Sequence, residues 1–230
     1  RIWNEVSAAL EPNYRVVLYD KRGHGLSEAT PQPYRMGDHV SDLAALLDHL
    51  GVKQAVVVGL SVGGMIAQGI AAARPDLVKA LVLCDTAHKI GTTEAWNARI
   101  DAVNANGIAS IGDAIMERWF TPGYRSPENP DFAGYTNMLT RTPVDGYAGT
   151  CAALRDADLT ASTSMLKLPV LCIVGDQDGS TPPDLVRTTA NLIEGSRFEI
   201  VNGAGHIPCV EQPEQTIALI TGFLKEIGWQ

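Results

Sequence analysis

The chain has 230 residues, of which 45% are hydrophobic and 19% are charged, as in an ordinary folded protein with one large core. Its net charge of −8, with no cluster of Lys and Arg, excludes the basic surface that binds nucleic acid or anionic lipid. No run approaches the roughly 18 apolar residues of a membrane span. We therefore expect neither nucleic acid nor a membrane as a partner.

The cysteines indicate a reducing compartment. They are far apart and form no C-x-x-C pair, and two of them lie in apolar strand-like runs, where cysteine acts as a small hydrophobe. They are Cys84, Cys151, Cys172 and Cys209. No secretory leader pattern begins the chain, so we expect a cytoplasmic protein. Because the chain begins at Arg1 without a Met, we also expect a preceding segment in the native protein.

Apolar runs alternate with helix-like segments along most of the chain. Continuous apolar runs predict strands that are buried on both faces, as in a parallel sheet covered by helices. Such runs lie at 16–18, 55–58, 80–84 and 170–174, with a more edge-like strand at 198–201. Helices are predicted at 2–10, 38–50 and 63–74, and from Pro213 onward.

This alternation stops between about residues 87 and 167, where the pattern becomes helical with loops. Helices are predicted there at 93–105, 108–119, 131–140 and 144–155. An insertion of this length between two strands predicts a helical cap over the sheet edge. The chain is therefore predicted to be an α/β protein with a mostly parallel sheet, divided into core (1–86), cap (87–167) and core (168–230).

A sharp strand-to-helix turn at Ser61 carries the strongest functional signal. The sequence Gly59-Leu60-Ser61-Val62-Gly63 follows an apolar strand and precedes an Ala/Gly/Ile-rich helix, which is the context of a nucleophile elbow. We expect both Gly59 and Gly63 to be required, because a side chain at either would collide with the neighbouring backbone. The serine hydroxyl is then exposed above the sheet edge.

A serine nucleophile needs a base and an acid that orients the base. On this kind of sheet they follow the serine in the order acid, histidine, each beyond the end of a later strand. The loop after residues 170–174 carries Asp176 and Asp178, and the loop after 198–201 ends in His206. Ser61, Asp178 and His206 fit both order and position, while Asp176 and Asp85 are competing acids.

The remaining histidines carry weaker signals. His24 lies in a glycine-bracketed turn and is expected to stabilise a loop near the pocket, whereas His39 and His49 are expected at opposite ends of a surface helix. His88 is expected in a solvent-exposed loop. No pair of histidines has metal-ligand spacing with a third donor nearby, so no metal is predicted.

The oxyanion of the tetrahedral intermediate needs two hydrogen-bond donors. The backbone N–H of Val62, at the start of the helix after the serine, is predicted to be one of them. The second is expected from a loop that would lie just before Ile2, outside this chain.

Several of these segments together resemble the α/β-hydrolase family, and within it the 3-oxoadipate enol-lactonases of aromatic catabolism. The general resemblance covers nearly the whole chain and lies in 20–27, 59–64, Gly175-x-x-Asp178, Gly205-His206 and 211–214. The narrower one lies in cap segments 117–122 and 146–159. Family spacing places the acid at Asp178.

The resemblance implies hydrolysis of 3-oxoadipate enol-lactone to 3-oxoadipate through an acyl-enzyme on Ser61, with no cofactor. The substrate carries a carboxylate, and a cation should meet it because a buried unpaired charge is costly. Arg118 and Arg155 are the first candidates for this cation, and Arg22 ranks below them. Trp119 is a candidate for the wall of the pocket. Each arginine has an alternative interpretation as a surface or cap-packing residue.

Two other kinds of function remain open from the sequence. A broader carboxylesterase or a carbon–carbon bond hydrolase of the same fold would share all three triad residues. A non-catalytic ligand receptor built on this fold is the alternative from another class.

Overall fold

The computed structural model describes residues 1–229, which form one parallel sheet covered by helices. Its four strands pair in the order β1-β2-β3-β4, and all three pairings are parallel. They are β1 (Ala55–Leu60), β2 (Val78–Cys84), β3 (Val170–Gly175) and β4 (Arg197–Val201). The predicted α/β class with a parallel sheet is therefore confirmed.

Helices fill the connections between the strands. Those outside the cap are α1 (Asn4–Leu10), α2 (Met36–His49), α3 (Val62–Ala73), α9 (Pro183–Leu192), α10 (Pro208–Glu211) and α11 (Pro213–Glu226). Between β2 and β3 lie α4 (Thr93–Asn106), α5 (Gly112–Trp119), α6 (Pro130–Thr140), α7 (Val144–Asp156) and α8 (Thr160–Ser164). The predicted helix at 108–119 is divided into a 3₁₀ turn at Ile108–Ile111 followed by α5.

The sheet has a hydrophobic core on each face, because strand side chains alternate between faces. In β2, Leu81 and Leu83 pack with α2, α3 and α9, whereas Ala80 and Val82 pack with α1, α11 and the cap. All six residues of β3 are buried. This two-sided burial explains why these strands are continuously apolar in the sequence.

Parallel pairing brings the carboxyl ends of all four strands to one edge of the sheet. Ser61 follows β1, Asp85 follows β2, and the loops that carry Asp178 and His206 follow β3 and β4. The residues of the predicted triad therefore converge at the edge where an α/β sheet binds its ligands.

The predicted strand at 16–18 is wrong. This segment forms no ladder with another described residue, and Leu18 is 55% exposed. Arg15 is anchored near the start of β1 by an Nη2 hydrogen bond of 3.2 Å to the Leu50 carbonyl. A cavity lies between the segment and β1, the edge strand of the four. The run lines this cavity and has no strand partner within residues 1–229.

The elbow requires Gly59 but not Gly63, which corrects the sequence prediction. A Cβ on Gly59 would lie 2.2 Å from the Gly63 carbonyl oxygen, whereas a Cβ on Gly63 would meet no atom within 4 Å. The second crowded position is Gly64, where a Cβ would lie 2.3 Å from Thr86 Cγ2. The close approach therefore involves the Gly63 carbonyl, and the Gly63 Cα faces open space.

None of the helices in the described part of the chain combines the length and the apolar character needed to cross a bilayer.

The contrast between Gly59 and Gly63 predicts different costs for the same substitution. Gly59→Ala should lower the free energy of unfolding by about 3 kcal/mol, because the collision is with backbone that cannot move aside. Gly63→Ala should stay within about 1 kcal/mol of the wild type. Urea denaturation of the two variants measures the difference, and equal costs would contradict this elbow geometry.

Candidate active site

Ser61 sits in a turn that the surrounding hydrogen bonds hold in an unfavourable conformation. Its φ of 55° and ψ of −119° are rare for a residue with a side chain. The Ser61 N–H donates to the Cys84 carbonyl at 2.9 Å, while the Ser61 carbonyl accepts from Gly64 N–H at 2.9 Å and Thr86 Oγ1 at 2.6 Å. Such over-determined strain is typical of functional turns. The Ser61 hydroxyl faces the cavity and forms no hydrogen bond with any residue in 1–229.

Asp178 and His206 form a buried pair. The His206 Nδ1 lies 2.8 Å from Asp178 Oδ2, and the two residues are only 2% and 4% exposed, respectively. Thr181 Oγ1 also donates to Oδ2 at 2.6 Å, and the N–H groups of Ser180 and Thr181 donate to Oδ1 at 2.7 and 3.1 Å. Both carboxylate oxygens are therefore fully engaged.

These contacts keep Asp178 ionised. Burial acts to raise its pKa, but the adjacent His206 and the hydrogen bonds from Thr181 and Ser180 together hold the pKa below its ordinary value. A carboxylate at Nδ1 fixes the imidazole tautomer that leaves Nε2 free to accept a proton. His206 lines the same cavity as Ser61.

The end of cap helix α5 fixes both of these loops. The Trp119 carbonyl accepts the His206 N–H at 2.8 Å, and the Arg118 carbonyl accepts the Gly179 N–H at 3.3 Å. The last carbonyls of a helix have no partner within the helix, so they are free for such contacts. The Trp119 indole also stacks on the His206 ring, with centroids 6.2 Å apart. A Cβ on Gly205 would lie 2.6 Å from the Trp119 oxygen, which explains the glycine before the histidine.

Glu211, in the 211–214 segment, is a positioning residue whose role the sequence alone does not predict. Its Oε2 accepts the Gly205 N–H at 2.7 Å, and its Oε1 accepts the N–H and hydroxyl of Thr121 at 3.0 and 2.6 Å. It therefore joins the histidine loop to the cap. The signal that marks such a residue is an acidic side chain in a mostly buried run, here 204–212.

Asp176 and Asp85, the competing acids, have other partners. Asp176 is exposed, and its Oδ1 accepts the N–H groups of Gly203 and Ala204 at 2.8 and 3.1 Å. Asp85 is fully buried with a φ of 46°; its Oδ1 accepts the Gly175 N–H at 2.9 Å, and its Oδ2 has no partner within residues 1–229. Burial, and then the charge of Asp178, raise the pKa of Asp85 well above its ordinary value. Burial, and then the adjacent Asp178 charge, thus favour the protonated form of Asp85.

Asp85, Asp178 and His206 have side-chain donor atoms within 4.8 Å of one another, which is close enough for a shared metal ion. Asp178 accepts four hydrogen bonds, His206 Nδ1 faces Asp178, and Asp85 is held by a backbone N–H. The contacts of Asp178 and of His206 Nδ1 are those of a hydrogen-bonded acid–base pair, whereas Asp85 Oδ2 has no partner within residues 1–229.

The cavity at Ser61 has a volume of about 1020 Å³ and extends along β1. Trp119, Arg118 and Val62 are among the residues that line it. Val62 is the first residue of α3, so its N–H has no acceptor within the helix. Arg155 is not among the lining residues.

Two of the predicted cations already have acidic partners. Arg155 Nε donates to Asp156 at 2.7 Å, and Arg22 Nε donates to Asp42 at 2.6 Å. The structure therefore does not bring Arg155 to the cavity, because the end of α7 turns its side chain toward a surface carboxylate.

The other histidines fall outside the Ser61 machinery. His39 is 1% exposed and packs edge-on to Tyr34, so the expectation of a surface position is wrong. Burial lowers the pKa of His39 to about 4, and burial together with Lys21 lowers that of His24 to about 3. His24 lines the cavity, whereas His88 Nδ1 lies 3.0 Å from Thr189 Oγ1.

The raised pKa of Asp85 predicts a pH-dependent stabilisation by Asp85→Asn. The pKa of Asp85 is higher in the folded state than its value of about 3.9 in the unfolded chain, so wild-type stability falls as pH rises from about 3.9 towards the folded pKa. Asn keeps the contact to Gly175 and binds no proton. The advantage of the variant should thus grow with pH over that range, by up to about 1.4 kcal/mol per pH unit. Urea denaturation at pH 5, 6 and 7 measures it, and exposed Asp176→Asn is the control that should show no such growth.

Comparisons with known proteins agree with this fold. The model of the alpha/beta hydrolase family matches residues 1–219. A curated relative, 3-oxoadipate enol-lactonase 2 of Acinetobacter baylyi, is 35% identical over 227 residues, which are 99% of this chain and 85% of that protein.

Solved structures give the same result. The enol-lactonase from Burkholderia xenovorans LB400 superposes with a TM-score of 0.94 at 34% identity, covering 97% of this chain and 86% of its own. A thermophilic esterase from Thermogutta terrifontis, with malate bound, has a TM-score of 0.92 at 29% identity and coverages of 98% and 85%. The chain belongs to the alpha/beta hydrolase family.

Proposed function

We propose that this protein is a serine hydrolase that opens 3-oxoadipate enol-lactone to 3-oxoadipate. The observation that carries the proposal is the buried Asp178–His206 pair, 2.8 Å apart, in a cavity that Ser61 also lines. The enol-lactonase relatives of Acinetobacter baylyi and Burkholderia xenovorans support the choice of substrate.

In the proposed mechanism, His206 Nε2 takes the Ser61 proton as Ser61 Oγ attacks the lactone carbonyl. Asp178 stabilises the imidazolium from the Nδ1 side. The Val62 N–H donates to the oxyanion, where charge develops in the transition state. Collapse of the intermediate breaks the ring ester bond and expels an enolate, which takes a proton and tautomerises to the ketone. Water activated by His206 then releases 3-oxoadipate from Ser61.

The chemistry of the leaving group fits a site that lacks a strong electrophile. An enolate is a better leaving group than a simple alkoxide, so ring opening needs less assistance from a general acid. A serine in the elbow also favours acyl transfer over the aspartyl-ester chemistry of dehalogenases.

A broader carboxylesterase is the second candidate, because the Thermogutta terrifontis esterase has a nearly identical fold. That esterase binds malate, a dicarboxylate, which also supports an anionic ligand for this chain.

The proposed reaction predicts that the purified protein opens 3-oxoadipate enol-lactone with a kcat/KM far above that for p-nitrophenyl acetate. Ser61→Ala should abolish both activities because it removes the nucleophile, while binding of 3-oxoadipate by calorimetry remains. Ester turnover without lactone opening would favour the esterase. Ligand binding without any turnover by the wild type would favour a receptor.

The two aspartates of one loop provide a matched test of the acid. Asp178→Asn should lower kcat by about 10³- to 10⁴-fold, because the amide favours the wrong imidazole tautomer. Asp176→Asn changes the same atoms on an exposed residue and should lower kcat far less. Steady-state kinetics of both variants measure the two losses of kcat. A larger loss in Asp176→Asn than in Asp178→Asn would assign the acid to Asp176.

A further inference from the structure

The lining of the cavity is uniformly non-acidic in a protein that is acidic as a whole. The chain carries 26 Asp and Glu against 18 Lys and Arg, yet none of the described residues that line the cavity is a carboxylate. Five of them are cations: Arg15, Lys21, Lys53, Arg99 and Arg118. A cleft with one sign of charge concentrates ligands of the opposite sign. The cavity is therefore suited to an anion.

Lys21 is the most buried of these cations, and it lies where the core meets the cap. Its Nζ is 2.6 Å from each ring nitrogen of His24 and donates to Thr150 Oγ1 on α7 at 3.2 Å. No carboxylate in residues 1–229 lies within ion-pair distance of it. An ammonium group in such a place is costly unless an anion pairs with it. Burial accordingly lowers the pKa of Lys21 well below its ordinary value.

Arg99 approaches the same face of α7 from α4. Its guanidinium lies 5.0 Å from the ring centroid of Trp96 and forms no ion pair with another described residue. Its charge and that of Lys21 both act on Cys151, lowering the thiol pKa against the larger opposite effect of burial. Lys21, Arg99, Thr150 and Cys151 all line the cavity, which places both cations beside one patch of α7.

The remaining cations are less suited to bind a substrate group near Ser61. Arg118 and Lys53 are exposed, so solvent already stabilises their charges. Lys53 and Arg15 also lie near the start of β1 at Ala55, which is about 20 Å from Ser61 by the rise of an extended strand. Only Lys21 and Arg99 combine partial burial with a position at the junction with the cap.

We propose that Lys21 and Arg99 form the subsite that binds the carboxylate of the substrate, at the face of α7 that carries Thr150 and Cys151. This inference rests on the proposed hydrolysis at Ser61 and specifies its substrates as esters or lactones with a carboxylate remote from the scissile bond. Because Lys21 already contacts Thr150, a carboxylate bound there links the core loop to the cap.

The subsite is tested with two esters that differ in one terminal group. p-Nitrophenyl hydrogen adipate ends in a carboxylate, and p-nitrophenyl hexanoate ends in a methyl group on a chain of the same length. The ratio of their kcat/KM values isolates recognition of the carboxylate from the chemistry at Ser61. The wild type should favour the adipate ester.

Lys21→Met and Arg99→Gln should each lower this ratio about tenfold or more, since each removes a charge-assisted hydrogen bond to the carboxylate. Lys53→Met is the matched control, because it removes a cation from the far end of the same cavity, and its ratio should equal that of the wild type. Circular dichroism and thermal midpoints establish that each variant is folded. Unchanged ratios in both Lys21→Met and Arg99→Gln would overturn the subsite.

Inhibition of the wild type by adipate and by its monoamide gives a second measurement that needs no variant of Lys21. Adipate should inhibit hexanoate ester hydrolysis at least tenfold more strongly than adipic monoamide. Equal inhibition would overturn the proposal. Preference for the adipate ester without enol-lactone opening would support the subsite while contradicting the lactonase function. Lactone opening, with unchanged adipate-to-hexanoate kcat/KM ratios in the variants, would support the lactonase function while contradicting the subsite.

Discussion

The buried contact between Asp178 and His206 is the interaction on which the rest of this site depends. A carboxylate at 4% exposure is unfavourable unless donors surround it, and four surround this one. That requirement explains Thr181, whose hydroxyl and N–H both serve the carboxylate. At the same strand edge, burial and then the charge of Asp178 disfavour ionisation of Asp85, because two adjacent buried carboxylates repel each other.

The cap takes part in building the site rather than merely covering it. The last carbonyls of α5 accept N–H groups from the acid loop and the histidine loop, and Glu211 ties the histidine loop to Thr121. These bonds fix the backbone of His206, while Asp178 fixes its imidazole ring. A change in the position of α5 would therefore move His206, the proposed base, which couples α5 to the proposed reaction through the backbone of the two loops.

Local patterns predicted the strands and the site loops well, because parallel strands buried on both faces have a strong sequence signal. The same signal gave a wrong strand at 16–18, because an apolar run does not show whether a partner strand is present. The prediction that Gly63 is required was wrong, because the sequence does not show that the crowded contact runs from Gly59 to the Gly63 carbonyl oxygen. The roles of Glu211, Lys21 and Arg99 depend on contacts between distant segments, which spacing along the chain does not encode.

Gly205 has a consequence for how far this part of the sequence can vary. A Cβ at this position would lie 2.6 Å from the Trp119 carbonyl oxygen, so any other residue would push the histidine loop away from the end of α5. That displacement would also break the bond from the His206 N–H to the same oxygen. The residue at position 205 is therefore restricted by the contact between two backbones rather than by any ligand.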